Sequence, residues 1–365
     1  RGRMIYLDYQ ATTPLAPEAR EAMLRWLDGP GGTGFGNPHS PHRYGRQAEA
    51  AVELARERVA ALFPPGGRVI FTGTATEALN MALLGNEQAR AGKAASVSAI
   101  EHSAVFDTAE RLKGGRHVLP VGEDGLLWAD ALPDGTGVVA VMQVNNEIGT
   151  IQPMVEVARL AKQAGAFLVC DAVQAAGKMP VAMADAVAIS AHKLHGPKGI
   201  GALWLRQGVK LDPIITGGGQ EDGLRSGTLS PALIAGFGAA AKLAAERMEA
   251  DAAHVESLWD RALELFDGWT LNGSAEARWH GNLSLRKDGI DVSRLMSDAR
   301  GIAFSAGSAC ASGSGKPSRV LQAIGLPAKL AKNTIRLGFG RYTTGEDLEE
   351  AAAAINAAAQ AQGAG

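Results

Sequence analysis

Ser190-Ala191-His192-Lys193-Leu194-His195-Gly196-Pro197-Lys198-Gly199-Ile200-Gly201-Ala202-Leu203-Trp204 sets a lysine on a bend between two apolar runs. Ala186-Val187-Ala188-Ile189 leads into Ser190, a glycine-proline turn follows, and Ile200 to Leu205 begins a second run, so two strands are predicted to flank Lys193. An amine positioned in this way can condense with the aldehyde of a cofactor. Ser190 and His192 offer hydrogen-bond donors to a phosphate on the same compound, which is the equipment pyridoxal phosphate requires. Read alone, the stretch is equally a surface turn with two lysines and two histidines, and residues upstream decide between the two.

Ala166-Phe167-Leu168-Val169 reads as another strand, ending in Cys170-Asp171-Ala172-Val173-Gln174. Ligands of open α/β sheets collect at the carboxyl ends of such strands. There Asp171 can pair with a protonated pyridine nitrogen and keep the ring an electron sink, and Gln174 can donate to the ring's phenolate oxygen. In isolation the same aspartate is a helix cap. The nearly all-apolar run Val138 to Val144 reads as a central parallel strand delivering Asn145-Asn146-Glu147 to the same edge, where the Asn146 amide can both donate and accept. A further strand, Arg68-Val69-Ile70-Phe71, precedes Thr72-Gly73-Thr74-Ala75-Thr76-Glu77 and a helix to about Leu84. Backbone N–H groups at that helix start suit an anion, although Thr-Glu spacing is also an ordinary helix cap.

The chain resembles the cysteine desulfurases, pyridoxal-phosphate enzymes of fold type I in the class V aminotransferase group. The matching pieces are Tyr6 to Pro14, Phe71 to Glu77, Glu101-His102, Asn145 to Gly149, the lysine loop, Arg225-Ser226-Gly227-Thr228 and Ser308-Ala309-Cys310, and they extend to Arg336. The resemblance implies an α/β fold, with a large domain built on a mostly parallel sheet flanked by helices and a smaller α+β domain. The large, cofactor-binding domain is expected over 16–260, and the small one over 1–15 and 261–365. It further implies that Ala75 and Thr76 contact the cofactor phosphate and that His102 lies over the pyridine ring as an acid/base group. Thr228 would reach across a homodimer interface to the partner's phosphate.

Composition sets outer limits. The 365 residues favour two domains, and 46% hydrophobic with 20% charged residues describe a globular chain. A net charge of -2 gives no electrostatic footprint for nucleic acid. No apolar run approaches the roughly 20 residues of a membrane span, and no hydrophobic signal segment opens the sequence, so no membrane association and a cytoplasmic location are expected. The text resembling the family begins at Met4, which leaves Arg1-Gly2-Arg3 outside it. Only Cys170 and Cys310 occur, in unlike contexts, so neither a disulfide framework nor a thiolate metal site is expected. His39/His42 and His192/His195 lack acidic or cysteine companions, and no metal is assigned to them.

Along the rest of the chain, Pro17-Glu18 opens a helix to about Leu27, and Val52, Ala55, Val59 and Leu62 mark the buried face of another. Ala95 to Ile100 reads as a strand, with Glu101-His102-Ser103 at the next helix start. Val155 to about Ala164 and Pro231 to about Leu265 are helical. Asn282 to Leu285 alternates. Thr334 to Phe339 alternates too, with Ile335, Leu337 and Phe339 on one face and Arg336 on the other, where a planar fork suits a substrate carboxylate. Residues 344 to 361 finish as an alanine-rich helix.

Ser305 to Ser318 surrounds Cys310 with serine and glycine, so little apolar surface is at hand to pack a thiol. The run Ser308-Ala309-Cys310 followed by Ser and Gly resembles the desulfurase subgroup with the longer cysteine loop, linked to general iron–sulfur assembly. The expected activity is conversion of L-cysteine to alanine, with sulfur carried on Cys310 as a persulfide to an iron–sulfur scaffold or sulfur-carrier protein. Lys193 is the expected base at Cα, Arg336 with Asn146 the carboxylate site, and His102 the group that takes the thiol proton. A selenocysteine lyase, an aminotransferase and a nucleotide-binding module built on the Gly-rich loops are the rival readings.

Overall fold

The computed structural model describes residues 3–307 and 317–363, so Cys310 lies outside the described residues. Alternation along the apolar runs settles the main layer. Val139, Val141, Leu168, Cys170, Val187 and Ile189 enter one buried cluster, and their neighbours Val138, Ala140, Val169, Ala186 and Ala188 enter another on the opposite face. A sheet covered on both faces must be apolar on both, which is why these strands read as continuous apolar runs.

Seven strands form that sheet, in the order Gly67–Thr72, Gly201–Arg206, Ala186–Ser190, Phe167–Asp171, Thr136–Met142, Ala94–Ser98, Arg116–Leu119. All run in one direction except Gly201–Arg206, which is antiparallel to both its neighbours. The mostly parallel sheet flanked by helices is therefore present. The Met154–Ala164 helix shows how the sequence sets a crossover. Met154, Val157, Leu160 and Ala161 bury one stripe, and Gly165 ends the helix with a left-handed φ of 62°. The edge strand Arg116–Leu119 had no legible signal, because its Arg-His start is polar and only Leu119 is buried.

A second core gathers Ile5, Leu7, Leu283, Leu285, Ile335, Leu337, Phe339, Leu348 and Ile355. It lies on a four-stranded antiparallel sheet ordered Ser305–Ala306, Thr334–Gly338, Asn282–Arg286, Thr270–Leu271. Ile5–Tyr6 pairs in parallel with Ile302–Ala303 beside it. The long helix Pro231–Leu265 serves both cores: Ile234, Phe237 and Ala241 pack in the first, Val255, Leu258 and Trp259 in the second. The first helix stops at Leu24, short of the expected Leu27, and the four short helices Glu87–Arg90, Val292–Asp298, Arg319–Ala323 and Ala328–Ala331 have no counterpart in the sequence reading.

Candidate active site

Six strands pointing one way bring their carboxyl ends to one edge of the sheet, where ligand sites of such folds form. A cavity of about 380 Å³ opens there. Its wall includes Ala75, Thr76, His102, Asn146, Asp171, Gln174, Ser190, His192 and Lys193, joined by Thr74 and Lys198. Residues from Thr74 to Lys198 are thus gathered around one space. Thr228 is exposed and lies outside this wall.

One end of the cavity is a helix start. Thr74 caps the Ala75–Gly85 helix by accepting the Glu77 N–H at 3.1 Å, and Glu77 in turn accepts the Gly73 N–H at 2.7 Å. The ordinary capping reading is therefore correct, yet it satisfies only part of the terminus. Helix geometry leaves the Ala75 and Thr76 N–H groups without intrahelical acceptors, facing the cavity at the positive end of the dipole. Gly201 makes the close approach of helix and strand possible, since a Cβ there would sit 2.6 Å from the Thr74 carbonyl carbon and 2.8 Å from the Ala75 nitrogen. Glu77 also binds Arg225 at 2.6 Å, which ties the Arg225–Thr228 stretch to this terminus.

Asp171 ends its strand and is 4% exposed. Burial pushes its carboxyl up, against the Val173 N–H bond and the attraction of His102 and Lys193. Such a group gains when a cationic ring nitrogen arrives beside it. His102 caps the Ser103–Glu110 helix, and its Nδ1 accepts the Ala104 N–H at 3.1 Å. In the neutral ring the proton is therefore on Nε2, leaving a donor for the cavity.

Lys193 follows the Ala186–Ser190 strand on a single turn of 3-10 helix. Its amine donates to the carbonyl oxygens of Gln10 and of Ala11, the latter at 2.7 Å. Burial first, then the Arg336 charge, brings it down to about 8, with Asp8 and Asp171 opposing. His192 contacts Thr12 Oγ1 through Nδ1 at 3.1 Å, and burial with the neighbouring lysines takes it to about 4, so it is a neutral donor or acceptor. Gln174 Nε2 donates to the Gln10 carbonyl at 3.0 Å, while its Oε1 accepts from Lys178 at 3.2 Å.

Arg336 stands on the strand face opposite Ile335 and Leu337, as the alternation requires. Its Nη1 donates to the Asn146 carbonyl and its Nη2 to Asp8, each at 3.1 Å. Both flanks of the cysteine stretch are fixed at this rim: Ser305 donates to Asp8 at 2.8 Å, and Ser318 donates to Glu147. Asp8, Lys178 and buried Glu101, which accepts the Met142 N–H at 2.9 Å, were not singled out in the sequence. Asp8 and Glu101 lie inside quoted motifs, but nothing in their spacing marks them as site residues.

The donor set suits a planar phosphorylated aldehyde: backbone N–H groups of a helix start and hydroxyls, a buried carboxylate, and an amine of lowered proton affinity, all in the wall of one cavity. Residues 5–350 match the pattern of the family described as Aminotransferase class-V. The chain is 41% identical to the cysteine desulfurase IscS of Rickettsia bellii (strain OSU 85-389) over 368 aligned positions, covering 95% of this chain and 89% of the relative. A solved NifS-like protein superposes with a TM-score of 0.87 at 32% identity, covering 97% of this chain and 98% of that one. The structure described as SspA in complex with cysteine gives 0.80 at 31% identity, over 93% of this chain and 99% of that one. With pattern, identity and fold in agreement over nearly its whole length, the chain belongs to the class-V aminotransferase family, among its cysteine desulfurases.

Proposed function

We propose that the protein is a pyridoxal-phosphate-dependent cysteine desulfurase that takes sulfur from L-cysteine, releases L-alanine and hands the sulfur to an acceptor protein. The observation that supports this reading most is the convergence of Lys193, Asp171, His102 and the Ala75–Thr76 helix start on one cavity, with Arg336 at its rim. Ala75, Thr76, Ser190 and His192 would hold the cofactor phosphate, with Thr228 supplied by the second subunit of a homodimer. Asp171 would face the ring nitrogen, Gln174 the phenolate oxygen, and Lys193 the aldehyde carbon. A cofactor held there would supply an electron sink for the pair left at Cα when its proton departs.

The chain's own residues then divide the work. Arg336 and Asn146 orient the substrate carboxylate. The Lys193 amine, down at about 8, is partly unprotonated near neutral pH and can accept the Cα proton. His102, its Nδ1 occupied by the Ala104 N–H, would present Nε2–H to the cavity as a hydrogen-bond donor to the attacking sulfur, whose proton passes to solvent and not, as expected from the sequence, to this ring. The Cys310 thiolate attacks the substrate sulfur: a sulfur–sulfur bond forms on Cys310 as the substrate carbon–sulfur bond breaks, its electron pair stays with Cβ, and Cβ takes up a proton to become the methyl group of alanine. An iron–sulfur scaffold or a sulfur carrier in the cytoplasm is the assigned acceptor. Among the described residues no helix is long and apolar enough to cross a membrane.

The test adds L-cysteine to the purified holoenzyme and measures alanine together with the mass of the Cys310 peptide. Alanine with one added sulfur on Cys310 is expected. Cys310→Ala should still bind L-cysteine and perturb the cofactor's absorption, while sulfur release stops. Undiminished sulfur release by that variant would overturn the reading in favour of another class V reaction.

A further inference from the structure

Asp8 is a carboxylate that the reading above leaves without a role, although it touches the residue assigned to the substrate's own carboxylate. It follows the Ile5–Tyr6 strand and is bridged to Gly338, two residues past Arg336 on the neighbouring strand. Oδ1 accepts from Arg336 Nη2 at 3.1 Å and from the Ser305 hydroxyl at 2.8 Å. Arg336 is held on its other side by the Asn146 carbonyl. Both terminal nitrogens of the fork are thus engaged, whereas Nε is buried and has no acceptor among the described residues.

A guanidinium presents five N–H donors in a fixed plane, so clamping two nitrogens decides where the rest point. Nη1 and Nη2 each carry two N–H groups and each has given one, so a second N–H on each remains for a ligand. The group the site is expected to receive, an amino-acid carboxylate, has two oxygens suited to such a pair of donors. We infer that Asp8 is a positioning residue for Arg336: it clamps the guanidinium beside the Asn146 carbonyl and leaves the second N–H of each terminal nitrogen for the substrate carboxylate. The inference rests on the assignment of Arg336 under the proposed function, and it deepens that assignment by naming what aims the fork.

Asp8 also bears on Lys193. Among the charged groups around that amine, Arg336 favours the free base, while Asp8 and Asp171 favour the ammonium form. Lys178 and His192 also lie close, since each feels the Lys193 charge. Removing the Asp8 charge must therefore lower the proton affinity of Lys193, an effect that a purely structural residue would not have.

The experiment measures equilibrium binding of L-alanine to the full-length holoenzyme, which needs no turnover, for wild type, Asp8→Ala and Asp8→Asn. Asp8→Ala should weaken binding about tenfold, the scale of one charge-assisted hydrogen bond. Asp8→Asn keeps an oxygen acceptor in place and should stay within about threefold of wild type. In both variants, freed of cofactor, the pH midpoint for acylation of Lys193, read by mass spectrometry, should fall below the wild-type value. Unchanged binding in Asp8→Ala, or equal losses in the two variants, would overturn the clamp, and an unmoved midpoint would overturn the placement of Asp8 beside Lys193. If Asp8→Ala does not fold, Asp8→Glu carries the binding test, because it keeps the charge but displaces the carboxylate by one methylene. A wild-type protein that binds L-alanine with this dependence yet liberates no sulfur from L-cysteine keeps the role of Asp8 and loses the desulfurase reading.

Discussion

Two amines lie against Gln10 and Gln174, and both give up proton affinity to be there. Lys193 comes down to about 8, and Lys178 to about 7, chiefly through burial and then through the Lys193 charge. For Lys193 the shift suits the proposed role, because a base must be partly unprotonated at working pH. For Lys178 it is a stability statement. Between about 7 and the ordinary lysine range, near 10.4, the unfolded chain holds a proton that the folded chain lacks, so stability rises with pH through that window and is lost as pH falls towards 7. Lys178→Met should therefore gain stability relative to wild type at pH 7 and lose that advantage by pH 10, as read from denaturant midpoints at the two pH values. A constant difference between the proteins would rule out the shifted amine as the cause. Lys178 went unmarked in the sequence because its meaning depends on Gln174 Oε1 lying 3.2 Å away, a contact that a Gly-Lys pair after a helical turn does not announce. The expectations at Lys193 and Asp171 rested on strand ends, which periodicity does reveal, whereas the role expected of His102 came from the family resemblance alone.

At the scale of elements, the site depends on how closely a helix start can approach a strand. The Ala75–Gly85 helix enters against Gly201, the first residue of the one antiparallel strand in the large sheet. Gly201→Ala would place a methyl 2.6 Å from the Thr74 carbonyl carbon, backbone that cannot turn aside. The terminus must shift, at a cost of about 1–3 kcal/mol by the usual scale of overpacking. Both consequences are measurable: a lowered thermal midpoint, and weaker retention of inorganic phosphate or of the phosphorylated cofactor. Stability loss with phosphate affinity unchanged would separate this helix from the anion site. The Thr-Ala-Thr-Glu sequence shows why such a site is half legible: it announces a helix cap, which the structure contains, but nothing local says that a glycine far along the chain lets the cap reach a cavity. The short helices and the edge strand were missed for a related reason, since elements of four to seven residues carry too few buried positions for a period to emerge.

At the scale of the whole molecule, the cavity draws on both cores: Lys193, Asp171 and the helix start stand on the large sheet, while Arg336 and the flanks of the cysteine stretch stand on the smaller one. The helix Pro231–Leu265 joins them, its buried residues passing from one core at Ala244 to the other at Val255 with none in between, and the Arg336–Asn146 and Ser318–Glu147 hydrogen bonds cross between them as well. Trp279, partly buried against both clusters, is a second bridge. If the helix is the principal coupling, breaking it between the cores should leave each core intact and cost the link alone. Ala253 is exposed in that interval, so proline there removes one helical hydrogen bond and clashes with the preceding turn, about 3 kcal/mol, without emptying either core. Calorimetry should resolve two transitions in Ala253→Pro where the wild type shows one. Ala253→Gly, costing about 1 kcal/mol with the helix continuous, should keep a single transition at slightly lower temperature. Because Arg336 and Lys193 stand on different cores, Ala253→Pro should also weaken L-alanine binding while leaving phosphate retention at the helix start unchanged. Equal loss of both, with one transition, would mean that the cores are held together by their interface and not by the helix.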